Sequence, residues 1–402
     1  MVNNTHFKRT VTLYLMGFLL IFGYAFARPC IDSIFLEHYS SDMLPSAWLV
    51  TAFCSIFVIA FYNKFNQKYS ILSLYGYTSL ICAGLLAILL AAYVSGFVPA
   101  IFILYIWKEL YMVVLMETYW SFADMVFSVS SARHTYGLAM AVSSLGGVVG
   151  NLSVGPFARL VGSSMALGAL IGFLILGFII TYCARSVSDA KPSSKKAPDL
   201  SLGLKTMITS KYLIPLGVLV CTVQIVICLI DYRFNTMLQE HYINTDMRTQ
   251  ILGNIHAAVN VIGVSIQLCT GPILKIFGIG MTFKSIPFLL AAAILAFVLV
   301  PHFWVMLAVK ISSKAFDYSL FRGVKEILYI PLTRAEKTQG KGIIDIFMYR
   351  MARGFSSLML ISMISLGIGV YVMELSLALV ALWLVLAVII ARRYQGMVKT
   401  SE

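Results

Sequence analysis

Long apolar runs separated by short charged stretches repeat along this chain, and their spacing predicts helices rather than strands. The runs fall near 11–27, 44–63, 71–93, 99–124, 137–159 and 164–183, and again near 211–232, 250–270, 281–300, 302–321, 343–368 and 371–391. Each is close to the roughly 20 residues that span a bilayer. The pattern predicts twelve transmembrane helices in two sets of six. Between the sets apolar content collapses, and Lys191, Pro192, Ser193, Ser194, Lys195, Lys196 and Pro198 mark a solvated linker. The expected organisation is a bundle over 1–186, a cytoplasmic linker over 187–210 and a second bundle over 211–402.

Composition agrees with that reading. Of 402 residues 60% are hydrophobic and 12% charged, and the mean hydropathy is +0.88. A soluble domain carries about 25% charged residues, so a soluble enzyme and a disordered chain are both excluded. The net charge of +13 is the anomaly, because lipid penalises buried charge. Counting Lys and Arg by loop resolves most of it. The termini and alternate loops hold 21, including Lys8, Arg9, Lys64, Lys68, Arg133, Lys275, Lys284, Arg392 and Arg393, against Arg28, Arg159, Arg233 and Arg248 on the other side. The positive-inside rule then places both termini and the linker in the cytoplasm. Lys8 and Arg9 before the first run, with Ala25-Phe26-Ala27 at its end, resemble a cleavable leader, but the run exceeds a signal core and is expected to be retained.

The seven cysteines form no CxxC pair and read as small buried hydrophobes. HExxH and Walker motifs are absent, and no metal or cofactor is expected. Gly146 and Gly150 carry the GxxxG spacing that lets helices approach closely. An internal repeat stands out: FLEHYSSDM at 35–43 returns as LQEHYINTDM at 238–247, so that Glu37-His38-Tyr39 recur as Glu240-His241-Tyr242. These segments read as helix-end caps outside the cytoplasm. Two six-helix halves in parallel repeat are the signature of the major facilitator architecture, whose substrate sits near the bilayer midplane.

In that architecture the first, fourth, seventh and tenth helices line the cavity, and the charges of this chain collect there. The first helix ends in Arg28 and Asp32, and the fourth carries Lys108, Glu109 and Glu117. The seventh ends in Asp231, Tyr232 and Arg233, while the tenth carries Lys310, Lys314 and Asp317. Arg350 and Arg353 lie in the eleventh. Lys310 and Lys314 share a helix face, and Lys314 and Asp317 have the i,i+3 spacing of a neutralising pair. Cationic pairs suit an anionic substrate, and arginine grips phosphate or carboxylate in bidentate fashion. The competing reading makes Lys108 with Glu109, and Lys314 with Asp317, structural ion pairs or gates. Glu109 and Glu117 could each serve as a gate, an amine contact or a proton carrier.

Three stretches resemble the ATP/ADP nucleotide transporters of plastids and obligate intracellular bacteria. SSKAFDYSLFRGVKEILYIPLTRAEKTQGKGIID at 312–345 is similar to that family's SKxSKYSLFDPxKEMxYIPL…KxKGKxxID, and YIWKELYMVVLMETYWSFADMVFSVSSARHTYGL at 105–138 to its ELWxS…FWxFAN…AKRFYxL. Arg-Pro-Cys-Ile-Asp at 28–32 resembles its R-D-x-K-D. The resemblance implies twelve helices and nucleotide exchange by alternating access. Glu109 matches the family's acidic fourth-helix residue, and Arg353 stands where the family has a lysine. There are departures: Ile31 replaces a lysine implicated in nucleotide binding, Leu229 or Asp231 stands near the acidic seventh-helix position, and Ser319-Leu320-Phe321-Arg322-Gly323 replaces SLFDP.

The expectation is therefore an all-α, twelve-helix secondary transporter of a bacterial inner membrane, with no enzymatic chemistry. It would be monomeric, have no nucleic-acid partner, and move a nucleotide or related phosphorylated anion. Arg28, Lys108, Glu109, Lys310, Lys314 and Arg353 are the expected substrate contacts. Asp32, Glu117, Asp231, Arg233, Asp317 and Arg350 are the expected gating or proton-coupling groups. The alternative is a proton-coupled importer of another anionic metabolite, a carboxylate or a phosphorylated cofactor.

Overall fold

The structure, a computed structural model, describes residues 2–66, 68–126, 132–185 and 200–401. The predicted linker residues 187–199 and the side chain of Arg133 lie outside the described residues. The described chain is helical and holds no strand. Its helices are α1 (Val2–His38), α2 (Leu44–Asn66), α3 (Ile71–Val94), α4 (Pro99–Val126), α5 (Ala132–Val161), α6 (Ser163–Ala184) and α7 (Leu200–Thr209). They continue as α8 (Leu213–His241), α9 (Thr245–Leu299), α10 (Phe303–Phe316), α11 (Arg322–Leu328), α12 (Tyr349–Ser365) and α13 (Val372–Ser401).

Among the described residues nine helices are long and apolar enough to cross a membrane, against twelve predicted spans. The difference has physical causes. α9 runs 55 residues and holds both spans predicted at 250–270 and 281–300, which part at Gly278 with φ 71° and ψ 162°. No atom lies within 4 Å of a Cβ built there, so the glycine is needed for its backbone conformation and not for space. The spans predicted at 302–321 and 343–368 are interrupted by wider π-helical turns. One, Asp317–Phe321, joins α10 to α11, and another, Ile343–Met348, leads into α12. Such turns concentrate at functional sites, and these two adjoin the charges of the tenth and eleventh predicted spans.

The chain divides into two compact units. Unit 1 holds residues 1–40, 53–195 and 242–260, and unit 2 holds 41–52, 196–241 and 261–402. In unit 1, α1 packs against α4, α5 and α6. A Cβ at Gly146 would come within 2.5 Å of the Phe18 carbonyl oxygen, and one at Gly150 equally near that of Phe22. The GxxxG pair thus brings α5 onto the α1 backbone, as its spacing predicts. In unit 2, α8 is the most buried span, with 72% of its apolar window covered. It packs against α10, α12 and α13, with Cys228, Leu229, Tyr232, Leu360, Met363 and Val372 forming a shared apolar cluster.

Both copies of the repeated EHY segment lie at helix ends: Glu37 and His38 finish α1, and Glu240 and His241 finish α8. The aspartate that follows each is anchored by hydrogen bonds. Within unit 2, Asp42 accepts from the Tyr232 hydroxyl at 2.7 Å, and the Ser41 N–H donates to Gln239 at 2.8 Å. Within unit 1, Asp246 accepts from the backbone N–H and hydroxyl of Ser163 at 2.7 and 2.6 Å. Beside it Arg248, 2% exposed, donates to the carbonyls of Ser33, Tyr242 and Ile243. The bonds to the Ser41 and Ser163 N–H groups and to the Tyr242 and Ile243 carbonyls satisfy backbone groups that helix ends leave open.

Candidate functional site

In unit 1 the end of α1 meets the middle of α4. Lys108 is 2% exposed, and its ammonium donates to Asp32 while lying 3.7 Å from Glu109 Oε1. It also sits 3.7 Å from the ring centroid of Tyr105, one turn earlier on α4. A cation this buried needs a carboxylate to offset its desolvation, and the ring face adds cation–π attraction. Arg28 Nε lies 3.6 Å from Asp32 Oδ2, with its guanidinium 5.9 Å above the Tyr24 ring. The Tyr24 hydroxyl in turn donates to Glu109 Oε1 at 3.3 Å. Two cations therefore face two carboxylates in one network. Glu117 stands two turns further along α4 on an exposed face. Ile31 is fully buried, so the position where the resembling family carries a lysine is here part of the apolar core.

In unit 2 the arrangement starts the same way. Asp231 near the end of α8 accepts from Lys310 at 2.5 Å and from Lys314 at 2.9 Å, each lysine taking one carboxylate oxygen. Lys310 is sealed, its side chain 4% exposed with the Phe234 ring centroid 5.1 Å away. Lys314 is more open at 12%. The predicted i,i+3 pairing of Lys314 with Asp317 is not its principal contact, because Asp231 offers an oxygen directly. Asp317 instead begins the π-helical turn, buried in the field of Arg322, Lys314 and Lys325. Lys325 is itself bound to Asp345 at 2.8 Å.

Arg353 is exposed on α12. Its charge acts on Cys228 together with those of Asp231 and Lys314, and on Tyr349 together with those of Asp317 and Lys314. The charges of Arg353 and Lys314 thus act on both Tyr349 and Cys228, with Asp231 acting on Cys228 and Asp317 on Tyr349. Arg233 is turned aside, 5.9 Å from the Phe297 ring centroid, and Arg350 is half-buried one turn before Arg353. Sequence reasoning missed Tyr24, Tyr105 and Tyr349. A signal existed, since Tyr24 and Tyr105 precede Arg28 and Lys108 by four and three residues, the spacings that stack side chains on one helix face.

The sequence model described as TLC ATP/ADP transporter matches residues 97–308 and 289–394. The chain belongs to the TLC ATP/ADP transporter family. Members of the TLC family are membrane transporters and not enzymes. Curated TLC-type relatives include ADP,ATP carrier protein 1 of Chlamydia trachomatis, 24% identical over 87% of this chain and 81% of the relative. ADP,ATP carrier protein 3 of Rickettsia prowazekii is 20% identical over 86% and 85%. The chloroplastic ADP,ATP carrier protein 2 of Arabidopsis thaliana is 23% identical over 86% and 67%. Among solved structures, a bacterial homologue of the iron transporter ferroportin in its inward-facing state aligns with a TM-score of 0.69 at 12% identity, covering 97% of this chain and 99% of that one. The nucleoside transporter NupG aligns at 0.64 and 12%, with the same coverage. The TLC chain thus has a fold like that of major facilitator-type transporters.

Proposed function

We propose that this TLC-family protein is a secondary transporter moving a nucleotide or a related phosphorylated anion across a bacterial inner membrane by alternating access. In this reading twelve spans form two six-helix repeats, 1–186 and 211–402, joined by the linker 187–210, with both termini cytoplasmic and the protein monomeric. The observation that carries it is the pair of Lys310 and Lys314 on the Asp231 carboxylate in a chain whose curated relatives are named ADP,ATP carriers. Lys314 and Arg353 contact the anion, with Lys310 held beside them by Asp231. Arg28, Lys108, Asp32 and Glu109 form the corresponding charged group of unit 1, with Glu109 open to substrate hydroxyl or amine groups. Asp317, Arg233, Arg350 and Glu117 belong to gating or proton coupling. No covalent chemistry is involved: transport spends differential binding between two states.

Uptake of labelled nucleotides into proteoliposomes, with and without internal ATP or ADP, tests this reading. Exchange requires uptake to depend on internal nucleotide. Uptake that follows a pH gradient and ignores internal nucleotide would replace exchange by proton coupling. Failure of every nucleotide, with transport of other anions, would remove the nucleotide assignment.

A further inference from the structure

We propose that the start of α3 and the end of α6 form a binding site for the headgroup of an anionic phospholipid, centred on Arg185. The site uses none of the charged groups described above and does not depend on which solute the protein carries.

Its geometry begins at Gly76 on α3. A Cβ there would come within 2.6 Å of the Thr181 hydroxyl oxygen and 3.3 Å of the Phe178 ring, so the glycine lets α6 lie close against α3. Tyr77, the next residue, thereby meets the end of α6. Arg185 follows the last residue of that helix, and its guanidinium carbon lies 4.8 Å from the Tyr77 ring centroid and 5.2 Å from that of Tyr182. Phe178 stands between the two tyrosines, its ring centroid 6.5 Å from that of Tyr77 and 5.9 Å from that of Tyr182.

A cation drawn out of water needs its charge offset close by. Lys108 and Lys310 have carboxylates for that purpose. Arg185 instead has buried Nε and Nη2 atoms without an acceptor, and among the described residues it faces rings rather than carboxylates. The ring faces attract the guanidinium but cancel none of its charge. A full positive charge is thus walled by tyrosines at a helix end, where an anion from outside the chain can complete it.

The surroundings of that charge select a lipid. Tyr77 and Tyr182 are both exposed, and tyrosines at the ends of spans sit at the level of lipid headgroups. One turn further into each span the exposed side chains become apolar, with Ile81 four residues after Tyr77 and Ile179 three before Tyr182. They offer acyl chains a surface next to the cation, which free phosphate would leave unused. Lys64 near the end of α2 and Lys68 just before α3, both exposed, add positive charge at the same end of these helices. A basic pocket between helix ends favours a lipid of net negative charge over a zwitterionic one.

Thermal unfolding of the purified full-length protein in detergent tests this, with phosphatidylglycerol, cardiolipin, phosphatidylcholine or inorganic phosphate added, because a ligand of the folded state raises the midpoint. At equal concentration phosphatidylglycerol and cardiolipin are expected to raise it, and phosphatidylcholine and phosphate to leave it in place. Arg185→Gln should need at least about tenfold more phosphatidylglycerol for the same shift, and its lipid-free midpoint reports whether it has folded. Tyr182→Leu is the second variant and should weaken the response in the same direction. Lys284→Gln, which removes an exposed cation of unit 2, should leave the response unchanged. Equal stabilisation by phosphatidylcholine would overturn the anionic assignment, and equal stabilisation by phosphate would overturn the lipid in favour of a free anion. A full response in both folded variants, an equal loss in Lys284→Gln, or no response to either anionic lipid would overturn the site.

Discussion

Lys108 and Lys310 are both sealed cations on a carboxylate from a neighbouring helix, yet removing them should have unequal results. Lys108→Met leaves Asp32 with only the 3.6 Å contact to Arg28, and breaking a buried pair costs about 3–5 kcal/mol. Adding Asp32→Asn should restore most of that loss, as read by denaturant unfolding in detergent. Lys310→Met should cost less, because Lys314 still holds the other oxygen of Asp231. Equal losses in the two single variants would show that Lys314 does not compensate. The charged residues themselves were legible in the sequence, since each is an exception to an apolar run. Their partners were not. Spacing along one helix suggested Asp317 for Lys314, while the observed partner Asp231 stands on α8 and is brought there only by packing. Lys108 likewise takes Asp32, 76 residues away, ahead of its neighbour Glu109.

At the level of the helices, the sequence marked the spans well where hydropathy alone defines them, and less well where backbone geometry intervenes. The spans read at 250–270 and 281–300 are two helical segments of α9 that part at Gly278, and the stretch between them, with Gly271, Pro272, Lys275, Gly278 and Gly280, does not by itself say which residue makes the break. Gly278→Ala should destabilise by about 1–3 kcal/mol, the cost of forcing a side chain into a glycine-only conformation. Gly263→Ala, in the same helix with nothing near its Cβ, is the control expected to show no loss in the same unfolding measurement. The segment between α11 and α12 carries a different dependence. Burial raises the carboxyl of Glu336, but hydrogen bonds from Ser210 at 2.5 Å and from Thr333 outweigh it and hold the group below its ordinary value of 4.5. A depressed carboxyl stabilises the fold above the ordinary value and loses that contribution as pH falls through the folded one. Glu336→Gln should therefore narrow the difference in thermal midpoint between pH 7 and pH 4. A variant with the full wild-type difference would show that other carboxylates carry it.

For the whole molecule, the division of the chain between its two units does not follow the order of residues. Residues 41–52 pack with unit 2 and 242–260 with unit 1, each anchored through the aspartate of its repeated segment. The repeat itself was legible, because EHY and the following aspartate recur at nearly constant offset. The exchange of segments was not, since nothing in a local motif says which bundle its neighbours will come from. Asp42→Asn and Asp246→Asn should each lower the thermal midpoint, and the two losses should add, because the aspartates share no partner. A non-additive double variant would mean that the two anchors are one cooperative element. The covalent midpoint is therefore the wrong place to cut when recombining this carrier with a relative. A hybrid joined at the linker would set two foreign helix starts against mismatched surfaces, whereas one that also trades 41–52 and 242–260 would inherit each surface with the segment that evolved against it.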